Sequence, residues 1–199
     1  MPLIRRDPPA PTGDEQASSA DLKSGDPGTR RRAVRSLGHD PEAVAILMDA
    51  LKVESDPAVI EAIFAALEAI PDAASPLASL LRSDDASLRN GAVEALQAMP
   101  DAVRPLLPGL LTDPDADVRI LSVEVARCLP ADEMVTLMCG LLDRESDPNV
   151  CTTAVEVLAE AGTAEAVPAL LRTAERFQSQ PMLPFAVRIA IERITGTRN

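Results

Sequence analysis

The sequence predicts an all-α, right-handed solenoid (a superhelix) of about five to six stacked helix pairs, and three observations carry that prediction. A string of the form Asp-x-x-Val-Arg-x-x-Ala-x-x-x-Leu recurs along the chain at near-constant spacing. A second set of apolar residues at helical spacing lies between successive copies. The residues available for packing are nearly all small aliphatics: 46% of the chain is hydrophobic, yet it has no Trp, no Tyr and only three Phe (Phe64, Phe177, Phe185). Ala, Leu, Val and Ile favour helices and close helix-on-helix contact. A β-sandwich or barrel calls for aromatic and Thr-rich strands, which are missing.

The repeated string defines the first helix set. It runs from Asp26-Pro27 through Arg30 and Ala33 to Leu37, then returns as Asp56-Pro57, Val59, Ile63 and Leu67. The third copy is Asp85, Leu88, Arg89, Ala92, Leu96 and the fourth is Asp115, Val118, Arg119, Ser122, Ala126. The fifth is Asp147-Pro148, Val150, Ala154, Leu158, and a degenerate sixth ends in Ala190 and Ile194. The leading Asp residues stand 30, 29, 30 and 32 positions apart. Each part has a physical reading. Asp accepts hydrogen bonds from the first free N–H groups of a helix and suits its positive dipole end. Pro in the next position already has a helical φ and loses no needed donor. Apolar residues four apart then share one face, and the small central residue admits a neighbouring helix.

The second set reads Val44, Leu47, Met48, Leu51; Ala74, Leu77, Ala78, Leu81; Val103, Leu106, Leu107, Leu110; Met134, Leu137, Met138, Leu141; and Val167, Leu170, Leu171, Ala174. Its helices open after the breakers Asp40-Pro41, Pro71-Asp72, Pro100-Asp101 and Pro130. Pro76, Pro105 and Pro168 fall early enough for a delayed start or slight bend, whereas Pro108 is deeper and predicts a kink. One unit is thus an outer and an inner helix, and neither buries its apolar face alone, so units must stack. The array begins with a truncated outer helix around Ala20–Lys23. The domain reading is a solenoid over 18–199 preceded by a flexible Pro-rich tail, 1–17, whose Pro-Pro-Ala-Pro-Thr-Gly stretch has no helical period.

Here the chain resembles HEAT-repeat proteins, in particular the short bacterial repeats also found in phycobilin lyases. The resemblance covers most of the chain and is specific for architecture rather than for function. It implies a ladder of Asp and Arg along the inner helices: Asp26, Asp56, Asp85, Asp115 and Asp147 with Arg30, Arg89 and Arg119. Ile60 and Cys151 stand where two of the arginines belong.

Charge narrows the function classes. The formal net charge is −12, against a nucleic-acid surface, which needs a Lys/Arg excess. The charge is uneven, because residues 1–37 hold seven Lys/Arg against five Asp/Glu and the remainder holds twelve against twenty-six. Arg30, Arg31, Arg32 and Arg35 form a small basic knot on an otherwise acidic body. Arginine in place of lysine fits a bacterial coding bias. Cys128, Cys139 and Cys151 form neither a disulfide framework nor a metal pair and suit a reducing cytosol. The first residues lack a signal peptide's apolar core, and no apolar run reaches the length of a membrane span, so a cytoplasmic protein is expected.

No catalytic, cofactor or metal residue is expected. The only histidine, His39, follows Gly38 at a helix end and reads as a cap for free carbonyls. The HEAT-like fold also serves alkylpurine DNA glycosylases, but that role needs a basic face and stacking aromatics. The expected function is a non-catalytic adaptor that holds a protein partner on its concave face, with no nucleic acid, no membrane and no cofactor. An accessory subunit or lyase-like factor acting on a partner that bears a prosthetic group is the second reading, and a self-assembling structural protein the third. On the concave face, the sixth motif position supplies Arg31, Glu61, Asn90, Ile120 and Thr152, and the tenth supplies Arg35, Glu94, Glu124 and Glu156, with Ala65 in the second repeat. This groove begins basic and turns acidic, with Ile120 as an apolar anchor; the plain alternative is an ordinary solvated face. In the last helix, Ala186, Val187, Ala190, Ile191 and Ile194 share one apolar arc, which leaves Phe185 and Ile189 outside it. They mark either a contact edge, for a homodimer or the partner, or residues covered by the 178–183 loop.

Overall fold

The fold is taken from a computed structural model, which describes residues 19–38 and 40–196. The tail reading for residues 1–17 and the capping role of His39 lie outside the described residues. A 3₁₀ turn, Ser19–Lys23, stands where the truncated first helix was expected. The α-helices follow in order: α1 (Pro27–Leu37), α2 (Val44–Leu51), α3 (Pro57–Glu68), α4 (Ala74–Ser79), α5 (Ala86–Gln97), α6 (Pro100–Val103), α7 (Leu107–Leu110), α8 (Ala116–Val125), α9 (Ala131–Arg144), α10 (Pro148–Ala161), α11 (Val167–Arg176) and α12 (Met182–Thr195). No strand occurs among the described residues.

Two rows result. The Asp-led helices α1, α3, α5, α8 and α10 pack one on the next, and α12 closes the row against α10. The remaining helices form the outer row: α2, α4, α7, α9 and α11 each pack on the inner helix of their unit, α6 packs on α5 and α4, and α9 and α11 also touch directly. Local chemistry explains the starts. Asp26, Asp56, Asp85, Asp115 and Asp147 each accept a backbone N–H of their own helix, as between Ser87 N and Asp85 at 2.7 Å. Such a cap contributes roughly 1 kcal/mol. The central small residues Ala33, Ala92, Ser122 and Ala154, with Ile63 in the second unit, have no exposed surface. Ser122 stays satisfied there because its hydroxyl donates to Val118 O at 2.6 Å. The core is one continuous aliphatic seam between the rows, from Val34 and Leu47 to Leu170 and Ala190. Each fully buried Leu or Ile adds about 1.5–3 kcal/mol of transfer free energy.

Three details differ from the sequence reading. The third outer helix does not kink at Pro108; it breaks at Pro105 into α6 and α7, joined by a turn. Pro105 and Pro108 together remove two i→i−4 donors, and the ring of Pro105 crowds the preceding turn. Pro108 then sits at the start of α7, where its missing N–H costs little. Leu110 is half-buried, and Leu111 takes the core position beside it. Leu171 is 51% exposed, because α11 turns Ala169, Leu170 and Thr173 inward instead.

Candidate functional site

The inner row presents its polar face between the helix contacts. Arg31, Arg35, Glu61, Asn90, Glu94 and Glu156 are exposed there. Arg31, Arg35 and Glu61 line one groove of about 370 Å³ between α1 and α3. Glu61, Asn90 and Glu94 line a second groove of about 870 Å³ between α3 and α5. Thr152 and Glu156 line a third of about 380 Å³ together with Phe185 and Ile189, between α10 and α12.

Two of the expected groove residues are turned to internal work. Ile120 is half-buried and packs against the core, so it is no open anchor for a partner. Glu124 accepts from Arg127 Nε at 2.7 Å, and Arg127 also pairs with Glu160, so its charge is offset within the chain. The acidic character therefore concentrates at the α3–α5 groove. Glu61, Glu68 and Glu94 line it, and no described ion pair involves any of the three. Burial, then the neighbouring Glu94, pushes the Glu68 carboxyl above its ordinary range. Sequence reasoning passed over Glu68 because it lies one residue beyond the twelve-position motif, which ends at Leu67.

The ladder implied by the resemblance takes another form. Asp26, Asp56, Asp85, Asp115 and Asp147 are helix caps, and the carboxylates that meet the arginines stand two residues before a cap. Arg30 holds Glu54 with Nε and Nη2 at 2.7 and 2.9 Å. Arg119 holds Glu145 in the same way at 2.7 and 3.1 Å. Each glutamate also accepts the N–H of the following cap residue, Asp56 or Asp147. Arg30, Arg89 and Arg119 each donate to the carbonyl of the residue at that position in their own unit, Ser24, Ser83 or Asp113. A forked guanidinium thus ties one unit's loop to the next unit's loop. The Arg30 hydrogen bond holds the Glu54 carboxyl down to about 2. For Glu145, burial pushes upward, but Arg119 and the N–H groups of Asp147 and Ser146 outweigh it and hold the carboxyl below its ordinary range.

Between the second and third units the clamp is absent. Ile60 replaces the arginine and Ser83 replaces the glutamate, so both members are missing together. At the next junction the acid is Asp113, which pairs with Arg82. The available signal in the sequence was the shared register of Ser24, Glu54, Ser83, Asp113 and Glu145, always two before the capping Asp.

Phe64 packs across the same junction, against the middle of α5. Its ring lies so close to Gly91 that a Cβ there would stand 2.4 Å from Cε2. The glycine in the middle of α5 is therefore what admits the aromatic ring. At the far end, Phe185 is 52% exposed with the Arg188 guanidinium 5.0 Å from its ring centroid. Ile189 is half-buried, while Val187 and Ala190 are buried and Ala186, Ile191 and Ile194 pack on the core. Of the 178–183 loop, Leu183 is buried and residues 178–182 are exposed, which leaves Phe185 open.

The thiols lie away from these grooves. Burial pushes all three upward, and Cys151, which is fully buried with Sγ 3.9 Å from Glu145 O, reaches about 11. No group of three His, Cys, Asp or Glu with metal-binding placement occurs among the described residues. No described helix is long and apolar enough to cross a membrane.

Comparison with known proteins bears on the architecture. A designed armadillo repeat protein is 22% identical, with 88% of this chain and 98% of that chain covered and a TM-score of 0.39. A chain from the complex of CpcE and CpcF of phycocyanin lyase from Nostoc sp. PCC7120 is 18% identical, with 97% and 100% covered and a TM-score of 0.38. Among curated proteins, none matches. The family model described as HEAT repeats matches residues 19–97 and again 103–179, most of the chain, spans that take in α1 to α5 and α7 to α11. The chain belongs to the HEAT-repeat family.

Proposed function

We propose that this protein is a non-catalytic adaptor that holds a protein partner along the concave face of its inner helix row. One observation carries the reading. The inner row turns charged and polar side chains outward beside three open grooves, while its aliphatic side is consumed by stacking. A stack of repeats creates an extended surface of this kind, whose side chains vary without disturbing the core. The partner residues proposed are Arg31, Arg35, Glu61, Asn90, Glu94, Thr152 and Glu156. The α12 edge, with Phe185 and Ile189, is a second contact surface, open either to the same partner or to a second copy.

The acidic half of the face favours a partner segment that carries positive charge. Changing Glu94 and Glu156 to Gln slows association with the partner recovered from the native host, and added salt has the same effect on the unchanged protein. The helical signal and melting temperature stay within the range of ordinary surface substitutions. Association indifferent to both the double change and salt contradicts the acidic-face reading.

A further inference from the structure

Within that adaptor reading, we infer that the groove between α3 and α5 is a socket for an arginine or lysine of the partner, flanked by an aliphatic side chain. The inference starts from what the junction lacks. At two other junctions a forked guanidinium bridges the loops, Arg30–Glu54 between α1 and α3 and Arg119–Glu145 between α8 and α10. Here Ile60 and Ser83 leave no bridge, and a groove of about 870 Å³ opens in its place. Its floor is apolar, from Ile60, Phe64 and Leu88. Phe64 is held at that floor by Gly91, whose missing side chain makes the space for the ring.

The rim decides the chemistry of the occupant. Glu68 and Glu94 crowd each other on it, and Glu61 stands on the wall shared with the α1–α3 groove, with Arg31 and Arg35 beyond. Among the other charged groups lining it, Glu54 is engaged by Arg30, Lys52 by Asp49, and Asp85 by the α5 N-terminus. Carboxylates without a described counter-charge above an apolar floor match a side chain with an aliphatic stem and a cationic head, which is what Arg and Lys are. A second copy of the chain is a poor occupant, since each carries a formal charge of −12. A phosphate-bearing ligand meets the same repulsion.

The test uses the full-length protein and two synthetic peptides, one of alternating arginine and leucine and one with glutamate in place of arginine. Binding is read by fluorescence anisotropy. The arginine peptide binds and the glutamate peptide does not. Glu68→Gln with Glu94→Gln weakens binding about tenfold or more, whereas Glu42→Gln with Glu165→Gln, both exposed on the outer row, leaves it within about twofold. Ile60→Arg puts a cation in the slot and abolishes binding while the thermal melt stays cooperative. Equal sensitivity to the two glutamate pairs, or full binding by a folded Ile60→Arg variant, overturns the socket. If a native partner still cross-links to the inner row while the Glu68/Glu94 variant binds it normally, the socket fails and the adaptor reading stands. If no inner-row position cross-links, the adaptor reading fails with it.

Discussion

At the scale of single residues, the arginine fork is the most informative feature. Arg30 and Glu54 are largely withdrawn from solvent, with 15% and 7% of their side chains exposed. Removing one partner strands the other, which costs more than the pair contributes. Arg30→Met is therefore expected to lower stability, with a larger cost than Arg32→Met in urea melts. The same fork sets an acid limit. The Glu54 carboxyl has an ordinary value of 4.5 and is held at about 2 in the folded chain. The unfolded chain thus binds the proton first as pH falls, so this contribution is complete above about 4.5 and is lost towards about 2. Glu54→Gln removes that segment of the pH–stability curve; an unchanged curve between those values contradicts the assignment.

Residue pairs also show where a sequence is hard to read. The five capping Asp were legible because each repeats in register and acts on its own helix. The partners of Arg30 and Arg119 were not, because Glu54 and Glu145 precede the motif and belong to the next unit. Phe64 and Gly91 were missed for the same reason, since neither breaks the pattern until the two helices are placed side by side. Their contact predicts a reciprocal effect. Gly91→Ala raises helix propensity by up to about 1 kcal/mol, yet its new Cβ meets the Phe64 ring at 2.4 Å. The net effect is a loss of about 1–2 kcal/mol. Phe64→Leu in the Gly91→Ala background restores stability, whereas the same change alone lowers it. Additive losses in the double variant contradict the contact.

At the scale of elements, helical periodicity located the outer helices but did not locate the break between α6 and α7. Hydrophobic spacing is continuous from Val103 to Leu110, so the pattern gives no sign of a gap. Two prolines three residues apart decide it through backbone donors rather than side-chain packing. Replacing Pro105 and Pro108 with Ala is expected to join the pieces and raise the helical circular dichroism signal. An unchanged signal means that the stacking of neighbouring units, not proline, holds the turn. The terminal helix was read more completely. Its apolar arc packs as the spacing required, and Phe185 is left half in solvent beside Met182, which is 77% exposed. With Phe185→Ser and Ile189→Ser, any self-association seen in sedimentation is lost and the melting temperature is little changed, since neither residue belongs to the buried core. A drop of many degrees instead marks both as structural.

At the scale of the molecule, stacking separates stability from recognition. The aliphatic seam carries the fold, and the exposed positions of the inner row are free to differ from unit to unit. That division explains why repeat spacing made the architecture readable while the face stayed only partly so. Position six or ten predicts which way a side chain points, but not whether a neighbour such as Arg127 has already taken its charge. Of the acidic stripe expected along three units, Glu94 and Glu156 stay open while Glu124 is taken by Arg127. The central claim is that partners are held on the inner row, and site-specific photo-cross-linking tests it most directly. A photoreactive residue is placed at Asn90 or Thr152 on the inner row, and at Ala45 or Ser75 on the outer row, in the native host. The account predicts one shared protein adduct from the inner positions and none from the outer ones. Adducts from the outer row alone would contradict it.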